Sequence, residues 1–294
     1  MIDLGNGPPV VLIPGIQGRW EWMRPAVPAL ARRMRVITFS LPGEPGSDSR
    51  FDESRGFDGF IAQIDAALER TGVSAATICG VSFGGLIALR YAAVRPERTR
   101  ALVLVSTPAP DWSPSPPLRR SMKHPRVLFP MFVLGAGRRV WQELSRTFPD
   151  WKQRVSAAAR YGVIVLGAPG GPTRMSRRGL LALGTNFQDD CARVNVPTLI
   201  VTGEPGMDQV VPPATTLQYA RLIKGGQVAC LEATGHLGII TRPERFAELI
   251  ADFTSAHVDV KRDPAAASAT AATVGADRQL RVGGAPEYQE RASS

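Results

Sequence analysis

Thr77-Ile78-Cys79-Gly80-Val81-Ser82-Phe83-Gly84-Gly85-Leu86-Ile87-Ala88-Leu89 decides how the rest of the chain is read. It begins as an apolar run of strand type and continues as an apolar run of helical type. Between the two lies Gly80-x-Ser82-x-Gly84. A serine on so sharp a strand-to-helix turn is held in a strained backbone conformation that lifts its Oγ above the end of a sheet, and small flanking residues let strand and helix approach. The Phe83 N–H, at the start of the helix, then points to where an oxyanion would develop. In a chain with 29 glycines such a short pattern also arises by chance, so its context decides. Here the context fits on both sides, and Ser82 is a candidate nucleophile.

Working outward, strand-like runs alternate with helical ones. Pro9–Ile13, Arg35–Phe39 and Ala76–Gly80 read as buried strands, followed by Ala101–Val105, Thr198–Thr202 and Gln227–Leu231. Between them the spacing predicts helices over Met23–Arg33, over Phe57–Leu68, after Ser82 as far as Pro96, and over Pro213–Ile223. Thr241-Arg242-Pro243-Glu244 reads as a capping box opening a last helix. Such alternation implies a parallel sheet covered on both faces, with ligands bound beyond the carboxyl ends of the strands.

The rhythm fails from Thr107 to about Asp190, where proline clusters and Trp112, Trp141, Trp151 and Tyr161 accompany helical periodicity. The reading is therefore an α/β core over 1–108 and 191–257, an inserted helical cap over 109–190, and a disordered tail over 258–294, which is rich in Ala, Ser, Thr and Gly. With 44% apolar and 21% charged residues the chain is of globular type. No apolar run reaches the ~18 residues a membrane span needs. Met1–Gly5 has neither a basic flank nor an apolar core, so no secretion signal is expected. Three cysteines are an odd count without metal spacing. Cys79 and Cys230 read as small buried hydrophobes, and a reducing cytoplasm is the expected setting. No cofactor and no metal are expected.

Activating a serine calls for a base near neutral pH. Of three histidines, His124 falls in the cap and His257 at the edge of the tail. His236 falls in the loop after the last strand, at the same sheet edge as Ser82. An acid to orient it belongs after Thr198–Thr202, where Glu204 and Asp208 both stand. The position of Asp208 at the far end of that loop favours it over Glu204.

Together these residues resemble the α/β-hydrolase superfamily, in its capped esterase, lactonase and peroxidase-like branch, over about residues 9–256. Gly80-Val81-Ser82-Phe83-Gly84-Gly85 is similar to the family's nucleophile elbow, and Gly235-His236 with Arg242–Phe246 to its histidine loop and final helix. Asp208-x-Val210-x-Pro212 is similar to its acid loop, and this selects Asp208 over Glu204. The resemblance implies a Ser82–His236–Asp208 triad and an oxyanion hole from the N–H groups of Ile16 and Phe83. Three departures stand out. The loop after the first central strand has Pro14-Gly15 where the family has His-Gly, which removes a hydrogen bond that braces it. Ser40 stands where the family has Asp. Only eight residues precede Pro9, so the family's first two strands are expected to be absent, leaving six parallel strands with Arg35–Phe39 at an edge.

The implied function is hydrolysis of a small or medium acyl ester, lactone or thioester, held under the cap by residues such as Trp20, Trp112 and Phe132. Each of these aromatics also fits plain core packing. Two alternatives remain: the same triad used for acyl transfer or carbon–carbon bond hydrolysis, or a non-catalytic relative that senses a ligand. Charge adds one more observation. Thirteen basic residues and only Glu143 and Asp150 fall between Ser113 and Leu180, a net +11 in a chain whose total is +9. An Arg-rich solvated surface is one reading. The other is attraction of an anionic or carrier-bound acyl substrate or an acidic lipid surface; no nucleic-acid motif accompanies the charge.

Overall fold

The computed structural model describes residues 1–258, apart from the side chains at 128, 129, 131, 132 and 258. The tail expected over 258–294 therefore lies, but for Val258 itself, outside the described residues. Seven strands form the sheet: β1 (Ile2–Leu4), β2 (Pro9–Ile13), β3 (Arg35–Thr38), β4 (Ala76–Val81), β5 (Thr99–Val105), β6 (Thr198–Thr202) and β7 (Gln227–Cys230). Their spatial order is β1-β3-β2-β4-β5-β6-β7. Strands β2 to β7 pair in parallel, and β1 alone is antiparallel, with Ile2 opposite Thr38.

Six parallel strands were expected, and six are present. The expectation that Arg35–Phe39 forms an edge is corrected: β1 covers it. Three residues suffice, because Asp3 receives two hydrogen bonds from Arg35, at 2.9 and 2.7 Å. The true far edge is β7, whose residues are mostly exposed. This also corrects the reading of Cys230, which is exposed, whereas Cys79 on the central β4 is buried.

The helices are α1 (Ala26–Ala31), α2 (Asp58–Arg70), α3 (Phe83–Val94), α4 (Pro116–Lys123), α5 (Pro125–Thr147), α6 (Trp151–Gly167), α7 (Pro172–Leu183), α8 (Gln188–Arg193), α9 (Pro213–Thr216), α10 (Gln218–Leu222), α11 (Gly238–Thr241) and α12 (Pro243–Val258). The helix expected over Met23–Arg33 is broken. A 3₁₀ turn at Trp20–Met23 precedes α1, because Pro25 has no N–H to continue the ladder. One face of the sheet packs Val11, Ile37, Ile78 and Leu102 against α2, α3 and α8. The other packs Val10, Val36, Cys79 and Val103 against α1 and α12. Alternate strand residues serve the two cores, as the period of two requires.

Helices α4 to α7 lie between β5 and β6 in sequence and close over the sheet edge. The chain leaves β2 toward β3 on one side and returns through α2 to β4 on the other. Ligand crevices of open α/β sheets form where the winding reverses in this way. The loops after β2 and β4 meet there.

Candidate functional site

Ser82 follows β4 and precedes α3 with φ 54° and ψ −121°, a conformation that L-residues rarely adopt. The strain is held by the surroundings. The Ser82 N–H donates to Val105 O at 2.8 Å, and Gly85 N–H returns to Ser82 O at 2.9 Å. A Cβ on Gly84 would stand 2.5 Å from the carbonyl oxygens of Ile13 and Pro14, so glycine is required for α3 to lie this close to the loop after β2. Phe83 is wedged between Phe57 and Phe60, each ring centroid 5.9 Å away, which fixes the first turn of α3. Its N–H is among the first of the helix, where no intrahelical partner exists.

Ser82, Phe83 and Ile16 line a cavity of about 210 Å³. Its walls are apolar and shared between the core, with Leu86 and Val211, and the cap, with Trp112, Met122 and Met175. Of the three aromatics proposed for the pocket, Trp112 lines this cavity. Trp20 does not; it belongs to the 3₁₀ turn behind the loop and packs on the opposite core. The side chain of Phe132 lies outside those described.

The candidate acid and base meet through two neighbouring loops. Asp208, after β6, is buried, and its Oδ2 lies 3.0 Å from Nδ1 of His236, in the loop after β7. A carboxylate can only accept, so Nδ1 carries the proton and Nε2 is left as the basic nitrogen. The other oxygen of Asp208 accepts from Val210 N–H at 2.9 Å and Val211 N–H at 2.7 Å. Burial raises the Asp208 pKa, but His236 and these two N–H groups outweigh it, and the carboxyl is held below its usual range. Burial lowers the His236 pKa, and the charge and hydrogen bond of Asp208 reverse this, leaving it raised. Glu204, the rival acid, accepts the Ala233 N–H at 2.8 Å instead, bracing the turn before His236. Ser82 Oγ has no hydrogen-bond partner among the described residues.

Two site residues escaped the sequence reading, and both come from the cap. Glu143 on α5 is buried, and one oxygen accepts the N–H groups on both sides of His236: Gly235 at 2.8 Å and Leu237 at 2.9 Å. Burial raises its pKa, and these N–H groups oppose that. Arg178 on α7 is fully buried. It donates to Ile16 O and Pro42 O, both at 3.0 Å, and pairs with the equally buried Glu44 at 2.8 Å. Arg174 adds a two-pronged contact to the same carboxylate, at 2.8 and 3.0 Å. The guanidinium of Arg178 lies where a side chain on Gly18 would be. The loop that lacks the family's histidine at Pro14 is thus braced from the cap. A lone Glu in a +11 segment was a signal for Glu143; nothing local marked Arg178.

The family model described as alpha/beta hydrolase fold matches residues 8–243. The chain belongs to the alpha/beta hydrolase fold family. This hydrolase is 28% identical over 268 residues to a 2-hydroxy-6-oxo-2,4-heptadienoate hydrolase of Pseudomonas putida, covering 86% of this chain and 91% of that one. It is 30% identical over 268 residues to polyketide synthase ThaQ of Burkholderia thailandensis, a match that covers 85% of this chain but 12% of that protein. Among solved structures, an esterase from Exiguobacterium antarcticum superposes with a TM-score of 0.70 at 20% identity, over 86% of this chain and 94% of that one. The hydrolase has no helix, among the described residues, long and apolar enough to cross a membrane.

Proposed function

We propose that this enzyme is a serine hydrolase of small or medium apolar acyl esters, lactones or thioesters. One observation carries the reading: a strained serine opens into an apolar cavity beyond the strand ends, and at the same end of the sheet the buried Asp208 holds the half-buried His236. Ser82 Oγ attacks the carbonyl carbon as His236 Nε2 takes its proton, and Asp208 keeps the imidazole in the required tautomer. The N–H groups of Ile16 and Phe83 stabilise the oxyanion. Collapse expels the alcohol or thiol, which receives the proton from His236. Water, activated by the same nitrogen, then releases the acid from acyl-Ser82. Core segments 1–108 and 191–257 carry this chemistry, and 109–190 form the cap that closes the acyl pocket. A cavity of about 210 Å³ is small beside the ~300–1,000 Å³ of drug-sized pockets, which favours a short acyl group.

Resemblance to a heptadienoate hydrolase favours carbon–carbon bond hydrolysis as a second reading with the same residues. Resemblance to a stretch of a polyketide synthase keeps a carrier-bound thioester among the substrates to try. The buried free thiols of Cys79 and Cys191 fit a cytoplasmic setting.

The test is a fluorophosphonate label followed by a panel of esters, thioesters, lactones and 6-oxo-dienoic acids with product analysis. Labelling of the wild type and none of Ser82→Ala is expected, with turnover of at least one ester-type substrate. Ser82→Ala activity above ~10⁻³ of wild type would overturn the nucleophile, since triad variants keep only a small residual rate.

A further inference from the structure

The cap carries most of the apolar surface that the fold leaves uncovered. Nine of the fourteen exposed large apolar side chains among the described residues lie between Val127 and Leu180. They are not scattered. On α5, Val127, Leu134 and Trp141 recur every seven residues, so they form one stripe along the helix. On α6, Trp151, Val155, Val163 and Leu166 fall within one third of the helical circumference. Val127, Leu134 and Leu166 are 77%, 75% and 83% exposed. The two helices are joined by residues 148–150 and pack against each other. The inner side of the pair is already engaged: Glu143 holds the His236 loop, and Tyr161 meets Trp22 edge-on at 5.9 Å. The stripes are the outer side.

Basic residues share that outer side. Arg138, Lys152 and Arg160 are exposed, within a segment of net charge +11. This charge decides between occupants. A second copy would set +11 against +11 over an apolar contact. An acidic carrier protein would match the charge but leaves two aliphatic stripes with tryptophans unexplained. A helix face combining Lys and Arg with Trp, Leu and Val is suited to the boundary between headgroups and acyl chains of an anionic bilayer. We infer that the α5–α6 pair docks the enzyme on an anionic lipid surface, with Trp141 and Trp151 entering the interface and the basic residues contacting lipid phosphates. Each basic residue near such a surface strengthens binding by ~1 kcal/mol, about fivefold. Several together with buried apolar side chains give reversible attachment without a membrane-spanning segment. The cavity above Ser82 would then fill from a surface enriched in acyl compounds.

The test is co-sedimentation of the full chain with vesicles of phosphatidylcholine alone and of phosphatidylcholine mixed with phosphatidylglycerol. Binding to the mixed vesicles only is expected, with a blue shift of tryptophan emission and release as salt rises, because the Debye length falls from ~10 Å at 0.1 M to ~3 Å at 1 M. Arg138→Glu with Lys152→Glu should weaken binding at least about thirtyfold. Leu134→Ser with Trp141→Ser should weaken binding and reduce the blue shift, leaving the part that Trp151 reports. Both variants should keep the wild-type melting temperature and turnover of a water-soluble substrate. No binding, equal binding to both vesicles, binding to an acidic acyl carrier protein alone, or concentration-dependent self-association that quenches the same response would each overturn the inference. Activity is not read in the vesicle assay, so its failure is separate from failure of the hydrolase reading.

Discussion

Core and cap contribute to the same site in opposite ways. In the proposed mechanism the core supplies the reacting groups, on loops that follow β2, β4, β6 and β7, and each arises from a local pattern. The cap supplies no reacting group. It sends two buried charges inward, Glu143 to the histidine loop and Arg178 to the loop of Ile16. Their partners are 92 and 162 residues away in sequence. A buried charge that accepts from or donates to backbone holds that backbone tightly, because leaving it unpaired is costly. The cap is therefore a brace for the loops as well as a cover for the cavity.

The largest effect that would break this comparison belongs to the core. Asp208→Asn reverses the tautomer preference of His236 while conserving shape, and should lower kcat by ~10⁴ with little change in melting temperature. Glu204→Gln, which touches only the Ala233 N–H, should cost far less. A larger loss from Glu204→Gln, measured under the same conditions, would mean that the acid has been assigned to the wrong residue.

The next effect belongs to the cap and is one of stability. Arg178→Met leaves the buried Glu44 with Arg174 alone and strips two carbonyls of their donor. Breaking a buried pair from one side costs ~3–5 kcal/mol, a large part of the ~5–15 kcal/mol that holds a typical domain together. Adding Glu44→Gln should recover part of it. Arg178→Lys keeps the charge but cannot span both carbonyls, so kcat should fall while KM moves little. Denaturant unfolding together with steady-state kinetics measures both. A cost below ~1 kcal/mol would show that the oxyanion loop stands without the cap.

How much the sequence revealed follows the same division. The strand-to-helix turn at Ser82, the loops that carry Asp208 and His236, and the six parallel strands were legible, because each depends on residues adjacent in the chain. β1 was missed because three residues carry too little pattern; its pairing rests on Arg35 and Asp3. Cys230 was misread because an apolar run does not say whether its strand lies at an edge. Trp20 was misassigned because a loop residue beside the site can turn either way. The brace role of Glu143 and Arg178 was not legible, because the loops they hold offer backbone atoms, which carry no residue-type signature, and Glu44, the side-chain partner of Arg178, lies far off in sequence.

The smallest effect separates the charge of Glu143 from its geometry. Both N–H groups go to a single oxygen, Oε1, so Glu143→Gln can present an amide oxygen in the same place while removing a negative charge. The partial burial of His236 lowers its pKa; Asp208 and then Glu143 raise it, Arg139 opposes, and the net shift is upward. In the proposed mechanism the neutral ring is the base. The acid limb of kcat/KM is therefore expected above the ordinary histidine value in the wild type, and Glu143→Gln should move it to lower pH. The same sign governs stability: the imidazolium–carboxylate attraction holds below the ordinary histidine value and is lost as pH rises through the raised one. At the plateau the variant should lose no more than the net worth of one hydrogen bond, ~0.5–1.5 kcal/mol or up to about tenfold in rate. Glu143→Leu leaves two buried N–H groups without an acceptor and should lose more at every pH. A limb that stays in place in Glu143→Gln while Glu143→Leu is severely impaired would reduce Glu143 to a clamp on the backbone, with His236 tuned by Asp208 alone.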